Sequence, residues 1–395
     1  MKGQGKSMEF CSSYLSRAKG ENLYRKPTGY RFLDAVHVEQ DGKQYLALST
    51  NNYLGLTHVP AVQQAAVEAV FQYGTGAGGA RLTTGSHPLY QKLEQGLADF
   101  KGTEAAVVFN TGYMANVGVI SAVAGKGDVI FSDELNHASI IDGCRLSKAH
   151  TVIYNHADMK DLAEKLKYTP CTGLRLVVTD GVFSMDGDIA PLDQIVALGK
   201  QYGAVIMVDD AHGVGVMGQG GRGTVDHFGL QGKVGIQMGT LSKSLASEGG
   251  YAAGSRDLIA YLINRARSFV FSTALSPATV GAAYGALGEL ESHPERVYKL
   301  LENTRYMREM LKRAGIPVLG EMTPILPVLA GEPERAVQMA ALLKKAGLLV
   351  SAIRPPTVPS GSSRLRLTVS AAHDKKELAW AVDSIIAVSK ELALL

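Results

Sequence analysis

Cysteine is scarce and scattered in these 395 residues: Cys11, Cys144 and Cys171 are odd in number and far apart, with no CxxC pair. That pattern excludes a disulfide framework and a zinc ribbon, and it fits thiols kept reduced in a cytoplasm. Long apolar runs are missing. No stretch approaches eighteen uninterrupted apolar residues, so nothing in the pattern spans a bilayer. The opening ten residues carry two lysines with no apolar run behind them, which is not the form of a secretory signal, and Met8 is a candidate start. An excess of one charge is also missing. Lys plus Arg number 40 against 37 for Asp plus Glu, too even a balance for nucleic acid or an anionic membrane. No basic run is interleaved with aromatics, so a nucleic-acid module is not expected.

Glycine, by contrast, is abundant at 44 residues, as in α/β enzymes whose tight βα turns need it. After a polar amphipathic start come two short extended runs, 36–39 and 45–49, joined by the hairpin pair Asp41-Gly42. Residues 60–73 have helical spacing and lead into a Gly-rich loop, 74–85. Short β-branched runs then alternate with helical stretches at 105–109, 129–132, 151–154, 174–179, 204–208, 234–238 and 251–253. Continuous rather than alternating apolar character suits strands buried on both faces of a mostly parallel sheet. The expected fold is α/β, with such a sheet in a large domain and a smaller α/β domain at the C-terminus. Long helices are expected at 278–292 and 295–314. The division read from this is an N-terminal segment over 1–56, a large domain over 57–280 and a small domain over 281–395.

Two strand ends carry the chemistry. One apolar run delivers Asp209, followed by Asp210 and His212, to the carboxyl edge where open α/β sheets bind ligands. Taken alone, Asp209 could equally cap a helix. Asp-Asp-x-His has metal-ligand residue types, but no further ligand has diagnostic spacing, so no metal site is expected. Another run ends in Thr240-Leu-Ser242-Lys243 among small and apolar neighbours. An enclosed amine there loses its preference for the charged form and becomes a nucleophile and proton carrier.

Together these residues meet the needs of pyridoxal 5′-phosphate (PLP): a lysine for its aldehyde, an acid for its ring nitrogen, and hydroxyl and N–H donors for its phosphate. Lys243, Asp209, Thr240 and Ser242 would supply them, with His212 near the phenolic oxygen. Gly112 and Tyr113 open a helix after a strand, which makes an anion site. His137 and Ser184 each follow a strand and could face the ring. G-x-G-x-x-G occurs at Gly74-Gly76-Gly79 and Gly213-Gly215-Gly218. Neither runs from a strand into a helix, so a nicotinamide dinucleotide is not expected.

At this point the chain resembles the α-oxoamine synthases among fold-type I PLP transferases. The resemblance covers nearly the whole length and rests on residues 49–56, 76–85, 136–143, 208–213 and 239–243. It implies that Lys243 binds the cofactor and moves the substrate Cα proton. Asp209 would pair with the ring nitrogen and His137 stack on the ring, with His212 and Ser184 near its phenolic oxygen. Gly112, Tyr113, Thr240 and Thr273 would hold phosphate, Thr273 from a second subunit of a homodimer. Arg354 would clamp the amino-acid carboxylate, Asn51 would lie near the substrate, and Arg25 would contact the acyl donor. The segments 352–359 and 364–368 resemble the branch that condenses L-alanine with a pimeloyl thioester, on coenzyme A or acyl-carrier protein, in biotin synthesis. Other branches use glycine with an acetyl or succinyl thioester.

Overall fold

A computed structural model describes residues 8–21 and 23–392, so most of the opening stretch read for a signal lies outside it. A short strand β1 (Arg31–Phe32) leads into the hairpin β2 (His37–Gln40) and β3 (Lys43–Ala47). Asp41 and Gly42 both take positive φ, 52° and 74°, at its turn, which is why a glycine follows the aspartate there.

Seven strands build the central sheet: β4 (Ala105–Phe109), β5 (Val129–Asp133), β6 (His150–Tyr154), β7 (Arg175–Asp180), β8 (Val205–Asp209), β9 (Ile236–Thr240) and β10 (Gly250–Gly254). Their order is β4-β10-β9-β8-β7-β5-β6. The pairings among β5 to β9 are parallel, whereas β10 runs antiparallel to both its neighbours. Helices cover both faces, which explains the unbroken apolar runs. The carboxyl ends of β5, β7, β8 and β9 therefore share one edge, where Asp180 lies in register with Asp209, and Asp209 with Met238.

The C-terminal part adds β11 (Ile325–Gly331), β12 (Leu348–Leu349), β13 (Ser351–Ile353) and β14 (Ser363–Thr368). β14 lies between β11 and β13 in an antiparallel sheet. β12 pairs parallel with β3, placing Leu348 opposite Leu46. Leu46 and Leu48 accordingly bury in one cluster with Leu326, Leu365, Leu367 and Ile385. Position 280 falls inside the helix Pro277–Ser292, whose Val280 packs with Leu93, Leu97 and Tyr251 in a different cluster. Among the described residues, no helix is long and apolar enough to cross a membrane.

Candidate active site

A cavity of about 210 Å³ opens at the carboxyl edge of the sheet, and its walls include Gly112, Tyr113, His137, Ser184, Asp209, His212, Thr240 and Lys243. Strand termination places most of them. β8 ends on Asp209, whose side chain is buried. Its Oδ1 accepts the Ala211 N–H at 2.9 Å and its Oδ2 accepts from Asn116 Nδ2 at 2.7 Å. The carboxylate is thus aimed by a turn and by a helix on the other side. Asp210 turns away, into a buried ion pair with Lys101 at 2.7 Å. It also accepts from the Thr224 N–H and hydroxyl. Asp210 is a strut for the segment 213–224, and among the described residues no group of three or more His, Cys, Asp or Glu could hold a metal.

β9 ends on Thr240, and the chain then folds over itself so that Lys243 projects into the cavity. Ala246 takes φ 50° in this turn, and the Leu241 N–H donates to the Gly249 carbonyl at 3.0 Å. The amine of Lys243 makes no hydrogen bond or ion pair to any described residue. Burial lowers its pKa below the ordinary lysine value; Asp209 and Asp180 oppose that shift and Arg366 adds to it. An amine so placed loses its proton more easily than a surface lysine does.

The helix Gly112–Val123 begins at the same edge, capped by the Thr111 side chain, which accepts from the Met114 N–H. A Cβ at Gly112 would stand 3.3 Å from Thr240 Oγ1 and from the Met238 methyl, and one at Gly250 would stand 2.6 Å from the Gly112 Cα. Glycine at these two positions keeps the corner open and the helix terminus close to Thr240, whose Oγ1 lies 2.7 Å from Ser242 Oγ. Backbone N–H groups and two hydroxyls therefore converge on one point, as an anion requires.

His137 caps the next helix, with Nδ1 and Ser139 Oγ 2.7 Å apart. Burial lowers its pKa, Asp209 opposes the shift and Lys243 adds to it, so the ring is neutral near pH 7. His212 is pushed well below the usual histidine range, first by burial, then by Lys243, Arg366 and His137. Its Nδ1 lies 2.7 Å from the Tyr53 hydroxyl. Arg366 Nη2 donates to the same hydroxyl at 3.4 Å, and its Nη1 to Asn51 Oδ1 at 3.1 Å. Asn51 thus reaches the cavity wall through Tyr53 and His212 without lining it.

Three expected residues lie apart from the cavity wall as well. Arg354 follows β13, beside the position where Ile353 faces Arg364. Burial lowers its pKa, and the nearby charge of Arg25 lowers it further, so these two guanidiniums form one cationic region. Thr273 bridges to Ala80 of the Gly-rich loop, and its carbonyl accepts from Asn110 Nδ2 at 2.6 Å.

Two wall residues, Asp180 and Asn116, and one behind the wall, Arg366, escaped the sequence reading. Asp180 ends β7 as Asp209 ends β8, and burial and the charge of Asp209 raise its pKa well above the usual carboxylate value; its strand-end position was the available signal. Asn116, four residues after Gly112, gave none. Arg366, one of two arginines on the buried strand β14, was visible as a charge where the pattern should be apolar.

The class I and II aminotransferase family matches residues 43–385. An 8-amino-7-oxononanoate synthase from Lysinibacillus sphaericus is 51% identical over 95% of this chain and 96% of its own. One from Geobacter sulfurreducens is 47% identical over 96% and 98%. The chain belongs to the 8-amino-7-oxononanoate synthase family. Among solved structures, Sphingomonas wittichii serine palmitoyltransferase superposes with a TM-score of 0.93 at 32% identity over the full length of both chains. An 8-amino-7-oxononanoate synthase from Francisella tularensis gives 0.76 at 27% identity, covering 88% of this chain and 99% of its own. A further serine palmitoyltransferase, also at 0.93 and 32%, was solved with a PLP internal aldimine.

The cavity of this 8-amino-7-oxononanoate synthase family member suits such a cofactor. It offers an unpartnered amine, a fixed carboxylate opposite, a helix N-terminus kept open by glycine, and an orphaned polar atom, Asn116 Oδ1, buried in the wall. Its volume suits one small heterocycle and leaves an acyl chain outside.

Proposed function

We propose that the chain catalyses the decarboxylative condensation of L-alanine with a pimeloyl thioester, giving 8-amino-7-oxononanoate, carbon dioxide and the free thiol of the donor on the route to biotin. The observation that carries this is the pairing of a partnerless Lys243 with Asp209 in one cavity, in a chain 44–51% identical to relatives named for that synthase. PLP, bound there, supplies the electron sink that makes an amino-acid Cα acidic.

The protein's residues do the rest. Asp209 holds the ring nitrogen protonated, and Gly112, Tyr113 and Thr240 bind the phosphate. His137, His212 and Ser184, which line the same cavity, would hold the ring, His137 by stacking and the other two by hydrogen bonds near its phenolic oxygen. Lys243, with its lowered pKa, takes the Cα proton and returns one at the end. Arg354 would hold the alanine carboxylate and so orient the substrate for loss of its Cα proton. Arg25, sharing that cationic region, meets the acyl donor, and Asn51 lies beside the substrate.

The protein acts as a cytoplasmic homodimer, with Thr273 of the partner subunit completing the phosphate site. The small domain starts at His293-Pro294, since a break at 280 would cut a helix.

Product mass spectrometry with alanine or glycine against pimeloyl, acetyl and succinyl thioesters, on coenzyme A and on acyl-carrier protein, tests the reading. Alanine with a pimeloyl donor should dominate. A preference for glycine with a short donor would replace it. Borohydride added with PLP should label the peptide containing Lys243, and no label there would refute the cofactor assignment.

A further inference from the structure

Ser184 sits on a tight turn from Val182 to Ile189, a bridge that pairs these two residues across its base. One flank of the turn is tied to the C-terminal part. Arg366 Nε donates to the Ser184 carbonyl and Arg364 pairs with Asp186. Thr323 Oγ1 donates to the Gly187 carbonyl at 2.8 Å. The other flank faces the carboxyl ends of β5 and β6, where, among the described residues, the side-chain hydrogen bond to it comes from His156. His156 places Nε2 2.7 Å from Asp188 Oδ2 and Nδ1 2.9 Å from Asp133 Oδ1. Its ring meets Phe183 edge-on at 4.4 Å.

Asp188 Oδ1 is buried with no partner, and its Oδ2 has no other bond to a described residue. The imidazole is therefore what holds this carboxylate. Asp133 is fixed independently: its Oδ1 accepts the Leu135 N–H and its Oδ2 the Ala157 N–H. His156 is itself anchored, its N–H donating to Glu134 at 2.9 Å, with Ala157 beyond it at φ 52°. A non-glycine residue in the left-handed region persists only where its surroundings over-determine it.

We propose that His156, as an imidazolium donating from both nitrogens, is a positioning residue that sets Ser184 against the cofactor by clamping Asp188 to Asp133. Each ring nitrogen faces a carboxylate oxygen, and only the doubly protonated ring satisfies both. The two carboxylates raise its pKa to about 10 against the opposing effect of burial, so it stays charged through the neutral range. The groups facing it are Asp133, Asp188 and Glu134 on the polar side and the Phe183 ring on the apolar one. The inference rests on the PLP reading of the cavity but not on the identity of the acyl donor.

The test is a double-mutant cycle on the PLP-loaded enzyme, with His156→Asn and Ser184→Ala. His156→Asn should lower kcat on the order of 10- to 100-fold, leave KM for the amino acid unchanged, and shift the visible cofactor band in the direction that Ser184→Ala shifts it. Added to Ser184→Ala, it should do little more, because both act through one hydroxyl. Full additivity, or an unmoved band, would overturn the proposal. If His156→Asn fails to fold, proton NMR of the cofactor-free wild type decides. Two slowly exchanging imidazole N–H signals from His156 at neutral pH support the clamp, and one signal overturns it. Normal PLP binding by the wild type keeps these outcomes separate from any failure of the cofactor assignment.

Discussion

Replacing Asp209 by Asn should nearly abolish turnover while hardly touching stability. The side chain keeps its shape, and Ala211 can still donate to its oxygen. The new amide nitrogen faces Asn116 Nδ2, but Asn116 can turn over and present its oxygen, which has no partner in the native protein. The Ser139 hydroxyl, 2.8 Å from that nitrogen and 2.7 Å from His137 Nδ1, would then give up one of those two contacts. Losing one hydrogen bond costs about 1 kcal/mol, a Tm change of roughly 1 °C for a chain of this length. The chemistry is another matter. A full charge pair at hydrogen-bond contact, about 3 Å, is worth about 5 kcal/mol at an effective dielectric of about 20. With a factor of ten for each 1.4 kcal/mol, kcat should fall about 10³- to 10⁴-fold at saturating PLP. Turnover would be followed by mass-detected product and folding by thermal melts. A purified Asp209→Asn protein within tenfold of wild-type kcat would refute the assigned role, whatever its Tm.

Arg354→Ala should raise KM for alanine about 10- to 100-fold, the worth of a charge-assisted pair of hydrogen bonds, and unchanged saturation curves would remove the clamp. Lys101→Met leaves Asp210 charged and unpaired in the interior, so denaturant titration should show a loss of about 3–5 kcal/mol; less than 1 kcal/mol would show that the pair is dispensable. His373 is buried and its pKa is lowered to about 4 from 6.5, chiefly by burial. The unfolded chain therefore binds more protons in this window, and stability falls as pH drops from 6.5 to 4, by about 3 kcal/mol for this group alone. Urea midpoints that stay level across that range would contradict it.

Local pattern carried most of the sheet. The runs read at 105–109 and 204–208 became β4 and β8 within a residue, because strands buried on both faces must be continuously apolar. Asp209 and Lys243 were legible for a related reason: a charge placed just after such a run is conspicuous. Asp180 obeys the same rule, but a carboxylate before a turn serves equally well as a cap, so its position alone does not mark it. Pairing between distant segments left no comparable trace. Nothing in Asn51 or Tyr53 announces that Arg366, more than three hundred positions later, will bond to both. Asn116 was hidden in another way, since an amide in a helix has no period or motif of its own, and only the approach of β8 gives it a task.

The parallel ladder between β3 and β12 bears on how the chain acquires its shape during synthesis. Leu46 emerges from the ribosome about 300 residues before Leu348, the partner it needs, and so distant a contact forms slowly and late. Until then Leu46 and Leu48 have no core to enter, and the edge of β3 is an unsatisfied template for stray strands. The seven-stranded sheet, whose partners all lie between 105 and 254, can consolidate while translation continues. The enzyme thus gathers its cofactor-facing residues from an early-forming centre and an outer layer completed last, and chaperone demand should concentrate on the interval between the two.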